Sequence, residues 1–338
     1  MNDTTIQNVV HELYQTELAK PSNRIYQSSP RMNYLSDKFE ATLLQLVKNM
    51  HLQYQRNQFN PKASEVTFGP VKSTKKLIGP SWELNTKNHN RINVNGKIDR
   101  IDMMRIDDVD YLVVVDYKSS NKTFDLAGFE AGITMQMPTY FWSLQNNLNQ
   151  PILEKILGVS DSDSLKVGGA LYEHITNPTV KENKIIADSN IEVLKGFKMN
   201  GILLDDFKLR DKFDTTFEPV DHKKTKTKDA YQSLKPSPTI DRNGKKTLFT
   251  EDELNDILQY NQYLIEKAGE NIYSGELKLN PYRKGQISAL KYSDFQPIFQ
   301  FDAMLDENEY HDIVDNGKKD ILKAIREKLD KETEDDGE

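Results

Sequence analysis

The sequence predicts an α/β protein, and three observations carry that prediction. The first is the unbroken apolar run Tyr111-Leu112-Val113-Val114-Val115 inside a segment from Val109 to Lys118, the pattern of a strand covered on both faces. The second is the series Met32, Leu35, Phe39, Leu43, Leu46, Val47, Met50 and Tyr54, apolar residues at three- and four-residue intervals that mark a long helix with one buried face. The third is Thr250-Glu251-Asp252-Glu253, an N-cap with an acidic first turn that opens another helix running to about Ala268.

Composition narrows the class. At 338 residues the chain has room for one large domain or two ordinary ones. Hydrophobic residues make up 37% and charged residues 29%, and no apolar run approaches the roughly 18 residues that span a bilayer, so the expectation is a soluble protein with no membrane partner. The N-terminal MNDTTIQNVVHELYQ lacks a basic segment followed by an apolar one, and a cytoplasmic location is expected. There is no cysteine, which excludes disulfides, thiolate metal sites, cysteine-ligated iron–sulfur clusters and cysteine nucleophiles. A metal would have to be held by oxygen or imidazole. The net charge of -7 is unlike that of a nonspecific nucleic-acid binder, although the average conceals local patches.

Taken in order, Ile6 to Leu18 suits a short amphipathic helix, and the long helix follows Pro30. Ser64 to Phe68 alternates as a strand that Gly69-Pro70 ends, and Val71 to Asn90 reads as a loop. Two strands follow, Arg91 to Ile106 and Val109 to Lys118. Thr134 to Leu148 reads as a helix, with Pro138 tolerable if the helix starts near Gln136 and the proline lies in its first turn. Val167 to Ile175 looks like a further strand. The basic run His222 to Lys228 reads as an exposed loop, and the stretch after Leu277 as irregular. The ending DKETEDDGE is charged and free of aromatics, which predicts disorder.

The chemistry concentrates between Asn95 and Tyr140. If Asp107-Asp108 form a two-residue turn with Ile106 opposite Val109, Asp99 stands directly opposite Asp116, with Cβ atoms about 4.5–5.5 Å apart on one face. Converging carboxylates repel unless a divalent cation lies between them, and hard oxygen ligands favour Mg²⁺ or Mn²⁺. Lys118, two residues past Asp116, points to the same face. There it can orient or deprotonate a water, or stabilise charge developing on a phosphate. Asp-Asp is not a preferred hairpin turn, and a slip of one residue would separate the carboxylates. The bland alternative makes Asp99 and Asp116 ordinary strand-end acids and Lys118 their solvated neighbour. Gln136 and Tyr140, four apart on the following helix, share a face at its edge. As a pair they can hydrogen-bond a DNA phosphate or the lysine; Tyr140 alone reads as a boundary aromatic.

Gly96-x-Ile98-Asp99-Arg100-x-Asp102, Asp116-Tyr117-Lys118-Ser119-Ser120 and Gln136-Met137-x-x-Tyr140 together resemble the motif set of the PD-(D/E)XK nucleases in its RecB-type form. The flanking SSPRMNYL, the strand with Glu65 and the ending Phe299-Gln300-Phe301-Asp302 are most similar to the C-terminal nuclease region of the AddB-type (RexB) subunits of bacterial helicase–nucleases. The resemblance implies a restriction-endonuclease-like core, a mixed sheet flanked by helices, over 61–175. An N-terminal helical segment (1–60) would precede it, and an accessory segment (176–327) packing on the core and an acidic disordered tail (328–338) would follow. It implies a Mg²⁺- or Mn²⁺-dependent exonuclease that hydrolyses the single strand unwound from a duplex end in double-strand-break repair and recombination, beside a RexA/AddA-type helicase–nuclease subunit. Asp99 and Asp116 would bind metal, Lys118 would be the catalytic lysine, and Gln136 and Tyr140 would shape the site. Glu65 would join the metal through water, or else be a surface strand glutamate.

Two departures are visible. Many relatives hold an iron–sulfur cluster, but Leu290, Ser293 and Phe299 occupy the cysteine positions, so no cluster is expected and apolar packing would close that segment. Relatives also carry a helical Gly-x-x-x-His whose histidine binds metal, and the resemblance implies that the given sequence starts after that position. His11 in NVVHELYQ is the only nearby substitute as a metal ligand, against the bland reading of a surface helix histidine. The alternative function is a truncated, weakly active or inactive module that docks on a helicase partner.

Overall fold

The computed structural model describes residues 2–55, 57–69, 77–78, 82–120, 122–159, 165–175, 199–213, 248–305 and 308–335. Its elements in chain order are α1 (Asp3–Leu18), α2 (Pro30–Tyr54), β1 (Asn60–Phe68), β2 (Leu77–Ile78), β3 (Trp82–Asn85), β4 (Arg91–Val94), β5 (Gly96–Ile106) and β6 (Val109–Lys118). Then come α3 (Leu126–Glu130), α4 (Gln136–Gln145), α5 (Pro151–Leu157), β7 (Leu165–His174), β8 (Asn200–Leu204), α6 (Phe207–Lys212), β9 (Leu248–Phe249) and α7 (Glu251–Ser274). The chain ends with β10 (Tyr282–Lys284), β11 (Ile287–Ser288), α8 (Gln296–Phe299), β12 (His311–Asp312) and α9 (Lys318–Asp335). The basic run His222 to Lys228 lies outside the described residues.

Two compact units interleave along the sequence. One takes Met1–Ser64, Ile98–Thr123 and Asp163–Leu248, the other Glu65–Lys97, Phe124–Ser162 and Phe249–Glu338. This differs from the serial division suggested by the sequence, because β6 finds its next neighbour, β7, after the intervening helices α3 to α5.

In the first unit β5 and β6 form an antiparallel hairpin whose register runs from Ile106↔Val109 to Arg100↔Val115. β7 pairs parallel with β6 and β8 antiparallel with β7, giving a mixed sheet in an α/β fold. The Asp-Asp turn closes because Asp107 adopts φ +53°, a left-handed conformation that aspartate tolerates better than most residues. Its carboxylate is met by Lys208 at 2.5 Å. From Asp110 to Asp116 every residue of β6 is buried, the mark of a strand covered on both faces. In this unit α1 begins with the Asn2 side chain accepting from the Thr5 N–H at 2.9 Å, and Tyr14 on α1 donates to the Ser36 carbonyl of α2 at 2.8 Å.

In the second unit the segment read as a loop, 71–90, contains β2 and β3. β3 pairs with β4 from Trp82↔Val94 to Asn85↔Arg91, so the strand expected over 91–106 is split at Asn95. Gly96 follows because a Cβ there would stand 2.5 Å from Cζ of Phe68. Helix α4 starts at Gln136 with Pro138 in its first turn, where the missing N–H has no helical partner to lose. Helix α7 carries a full capping box between Thr250 and Glu253 and ends at Gly275, φ +71°. Its Tyr260 ring meets Phe129 edge-on at 5.7 Å, and its hydroxyl donates to the Glu130 carbonyl at 2.8 Å.

Residues 328–335, read from the sequence as the start of a disordered acidic tail, instead extend α9. Ile321, Leu322 and Ile325 are buried, and Lys318–Glu253 (2.6 Å) and Arg326–Asp256 (2.5 Å) fasten α9 to α7. An amphipathic face with ion-paired flanks outweighs an acidic composition. The stretch beyond Leu277 holds the short strands β10 to β12 and helix α8. Within it Leu290 is buried while Phe299 is exposed beside Phe295, so the apolar closure expected there rests on Leu290.

Candidate active site

Side chains alternate across a sheet, so register decides which groups meet. The hairpin puts Asp99 of β5 on the same face as Asp116 and Lys118 of β6. Parallel pairing of Asp116↔Tyr172 and Lys118↔His174 adds Tyr172 and His174 of β7 to that face. The Lys118 ammonium is ion-paired to Asp116 Oδ2 and lies 5.5 Å from the Tyr172 ring centroid. At the end of the ladder Asp99 Oδ2 accepts the Tyr117 backbone N–H at 3.0 Å, which fixes that carboxylate against β6.

Asp116 is only 3% exposed, whereas the Lys118 side chain is 21% exposed. The carboxylate is thus withdrawn from water and the ammonium sits at its edge. Burial pushes the Asp116 carboxyl above the usual carboxylate range; the Lys118 hydrogen bond and charge oppose this, Asp99 adds to it, and the charge of Lys122 again opposes it. A buried carboxylate with a second carboxylate nearby is stabilised by a cation. Two hard oxygen donors on one face fit Mg²⁺ or Mn²⁺, since Mg²⁺ commonly takes one or two carboxylates and keeps several waters. Among the described residues no group of three or more His, Asp or Glu side chains is placed to hold a metal. Asp99 and Asp116 are two carboxylates that the first unit brings to this face.

The opposite face of the same strands carries a buried charge cluster. Arg100 donates Nε and Nη2 to the two oxygens of Asp102 at 2.8 and 2.9 Å. Its Nη1 reaches Glu173 Oε2 of β7 at 2.8 Å and the Tyr117 hydroxyl of β6. One guanidinium thereby laces β5, β6 and β7 together. Burial pushes the Asp102 and Glu173 carboxyls upward, with Arg100 opposing it in both, and burial likewise raises the Tyr54 phenol near the cluster. The motif read from the sequence thus serves both faces, Asp99 on one and Arg100 with Asp102 on the other. Strand alternation within Ile98-Asp99-Arg100-Ile101-Asp102 is the signal that separates them.

The remaining candidates belong to other elements. In the second unit Gln136 Nε2 donates to the Tyr140 hydroxyl at 3.1 Å, and the Tyr140 ring meets Phe68 edge-on at 5.9 Å. Glu65, also there, takes φ +56° and pairs with Lys97. In the first unit the His11 side chain is 62% exposed, with its Nδ1 2.6 Å from Oε1 of Glu40 on α2. Tyr172, His174 and Lys122 were missed in the sequence; the alternation in Leu171-Tyr172-Glu173-His174 is the one pattern that puts the first two on a common face.

A mixed sheet that brings two aspartates and a D-x-K lysine to one face belongs to an α/β nuclease architecture. Residues 2–287 match the family model described as the PD-(D/E)XK nuclease superfamily, and the chain belongs to that superfamily. It is similar to proteins named as the B subunit of an ATP-dependent helicase/deoxyribonuclease. The one from Lactobacillus gasseri is 35% identical over 341 residues, covering 98% of this chain and 28% of the relative. Those from Lactobacillus johnsonii (36% identical; 90% and 26% covered) and Lactiplantibacillus plantarum (35% identical; 91% and 25% covered) are comparable. The chain spans about a quarter of the length of these curated relatives. Among the described residues no helix is long and apolar enough to cross a membrane.

Proposed function

We propose that this chain is a metal-dependent DNA exonuclease domain that hydrolyses a single strand delivered from an unwound duplex end, working with a RexA/AddA-type helicase partner in double-strand-break repair and recombination. The observation that carries the reading is the convergence of Asp99, Asp116 and Lys118 on one sheet face, with Asp116 buried and Lys118 ion-paired to it. Asp99 and Asp116 would hold Mg²⁺ or Mn²⁺, which when bound supplies Lewis-acid polarisation of a phosphate and a more acidic water. Asp99, anchored by the Tyr117 N–H, keeps its carboxylate turned toward β6. Lys118, at the edge of water, orients the attacking water and offsets charge building on the phosphate. Gln136 and Tyr140 are proposed to contact the DNA backbone through their paired polar ends.

The names of the relatives support both deoxyribonuclease chemistry and a helicase context. The test is digestion of linear single-stranded DNA with Mg²⁺, compared with a closed single-stranded circle. Linear strands are consumed, circles survive, and Asp116→Ala abolishes digestion. Digestion by Asp116→Ala at the wild-type rate would refute the assignment, and cutting of circles would turn it toward an endonuclease.

A further inference from the structure

We propose that Lys122 is a second phosphate-binding cation of the candidate site, held at its station by His174 and Asn200. The proposal deepens the nuclease reading and rests on it for the identity of the ligand, the phosphodiester backbone of a single DNA strand.

The argument begins with the backbone. The Lys122 carbonyl oxygen is 2.9 Å from Nε2 of His174 on β7 and accepts from Nδ2 of Asn200 on β8 at 3.1 Å. His174 and Asn200 are both buried, and a carbonyl has two lone pairs, so this one is fully used. Two neighbouring strands thus hold a single backbone atom in the loop that follows β6. Moving that loop would leave two buried polar groups without their partner, the costly direction of hydrogen-bond exchange.

The side chain completes it. The Lys122 ammonium lies 5.6 Å from the centroid of Tyr172, the same ring that Lys118 approaches at 5.5 Å. One aromatic ring on the site side of the sheet therefore lies within reach of two cations, an attraction expected within about 6 Å. The Asp116 carboxyl feels the charge of both lysines. Lys118 is already committed to Asp116. Among the described residues Lys122 forms no ion pair with a carboxylate, and its side chain is only partly buried. A partly buried positive charge on an anchored backbone, with no carboxylate ion pair among the described residues and adjacent to the carboxylate pair, is a seat for a phosphate oxygen.

The experiment uses the full chain and a fluorescent single-stranded oligodeoxythymidylate, with Ca²⁺ in place of Mg²⁺ so that binding is read without cleavage. Affinity is measured from low to moderate salt for wild type, Lys122→Gln, Lys122→Arg and Asn200→Ala. Loss of one phosphate contact lowers the slope of log affinity against log salt by about 0.7 for a single strand. Lys122→Gln is expected to show that loss, with binding weakened about three- to tenfold at low salt. Lys122→Arg restores the slope, and Asn200→Ala gives an intermediate affinity with an unchanged melting temperature for the Gln and Arg variants. A Lys122→Gln slope and affinity equal to wild type would overturn the proposal. Cleavage by Asp116→Ala, run alongside with Mg²⁺, tests the nuclease reading separately: persistent cleavage removes that reading, while the salt slope still decides whether Lys122 binds phosphate.

Discussion

Asp99 and Tyr117 are joined where the β5–β6 ladder gives out, the Asp99 Oδ2 accepting the Tyr117 backbone N–H at 3.0 Å. The last residue pair of the ladder is Arg100↔Val115, so a side chain takes over from the backbone one step later. The charge of Asp99 and its hydrogen-bonding ability can be separated by mutation. Asp99→Asn keeps an acceptor and loses the charge; Asp99→Ala loses both. We expect Asp99→Asn to melt near wild type and Asp99→Ala to lose about 1 kcal/mol, with saturable Mn²⁺ binding lost in both. Calorimetry and a Mn²⁺ titration check this, and equal melting of the two variants would show that the bond does not hold the strand end.

Burial raises the Asp116 carboxyl pKa above its ordinary value of 3.8, and the sign of the pH effect follows. A raised folded-state value means that the group's stabilising contribution is complete below the unfolded value and is lost as pH rises through the folded one. Asparagine does not titrate. Asp116→Asn should therefore be at least as stable as wild type at pH 7 to 8, with its relative advantage shrinking as pH falls toward about 4. Melting curves across that range read the effect directly. Added Mn²⁺ should raise the melting temperature of wild type and leave Asp116→Asn unmoved, as expected when ligand binds only the native site.

Arg100 holds two buried carboxylates, Asp102 and Glu173. Replacing it with methionine keeps the bulk and strands both acids, a change that typically costs about 3–5 kcal/mol. With the guanidinium gone, nothing opposes the upward push of burial on either carboxyl. The deficit of Arg100→Met should accordingly be largest at neutral pH and shrink in acid, where the carboxyls protonate. A deficit that is flat with pH would mean that packing, and not charge, is what Arg100 supplies.

Much of this was legible in the chain. The apolar run at 111–115 identified the buried strand, and the Ile106/Val109 turn register placed Asp99, Asp116 and Lys118 on one face. What escaped was set by distant partners. The polar segment 71–90 gives no sign that β3 would pair with β4. The acidic ending hides a helix whose anchors, Glu253 and Asp256, lie 65 and 70 residues upstream of their partners. His174 and Asn200 carry no motif, and only the pairing of β6, β7 and β8 reveals that they converge on the Lys122 carbonyl.

His11 offers a clean control. Its ring lies largely in water, 2.6 Å from Glu40, an exposed contact of the kind worth about 0–1 kcal/mol. We expect His11→Ala to retain both the Mn²⁺ affinity and the digestion rate of wild type. A marked fall in metal affinity would instead make His11 a ligand.

The central claim, that one sheet face holds the chemistry, is tested most directly at Lys118. The measurement is the single-turnover rate of linear single-stranded DNA digestion with saturating Mg²⁺, wild type against Lys118→Ala. The account predicts a fall of about 10²- to 10⁴-fold, the range for a positioned group acting in proton transfer, with Mn²⁺ affinity retained through Asp99 and Asp116. Equal rates for the two proteins would contradict it.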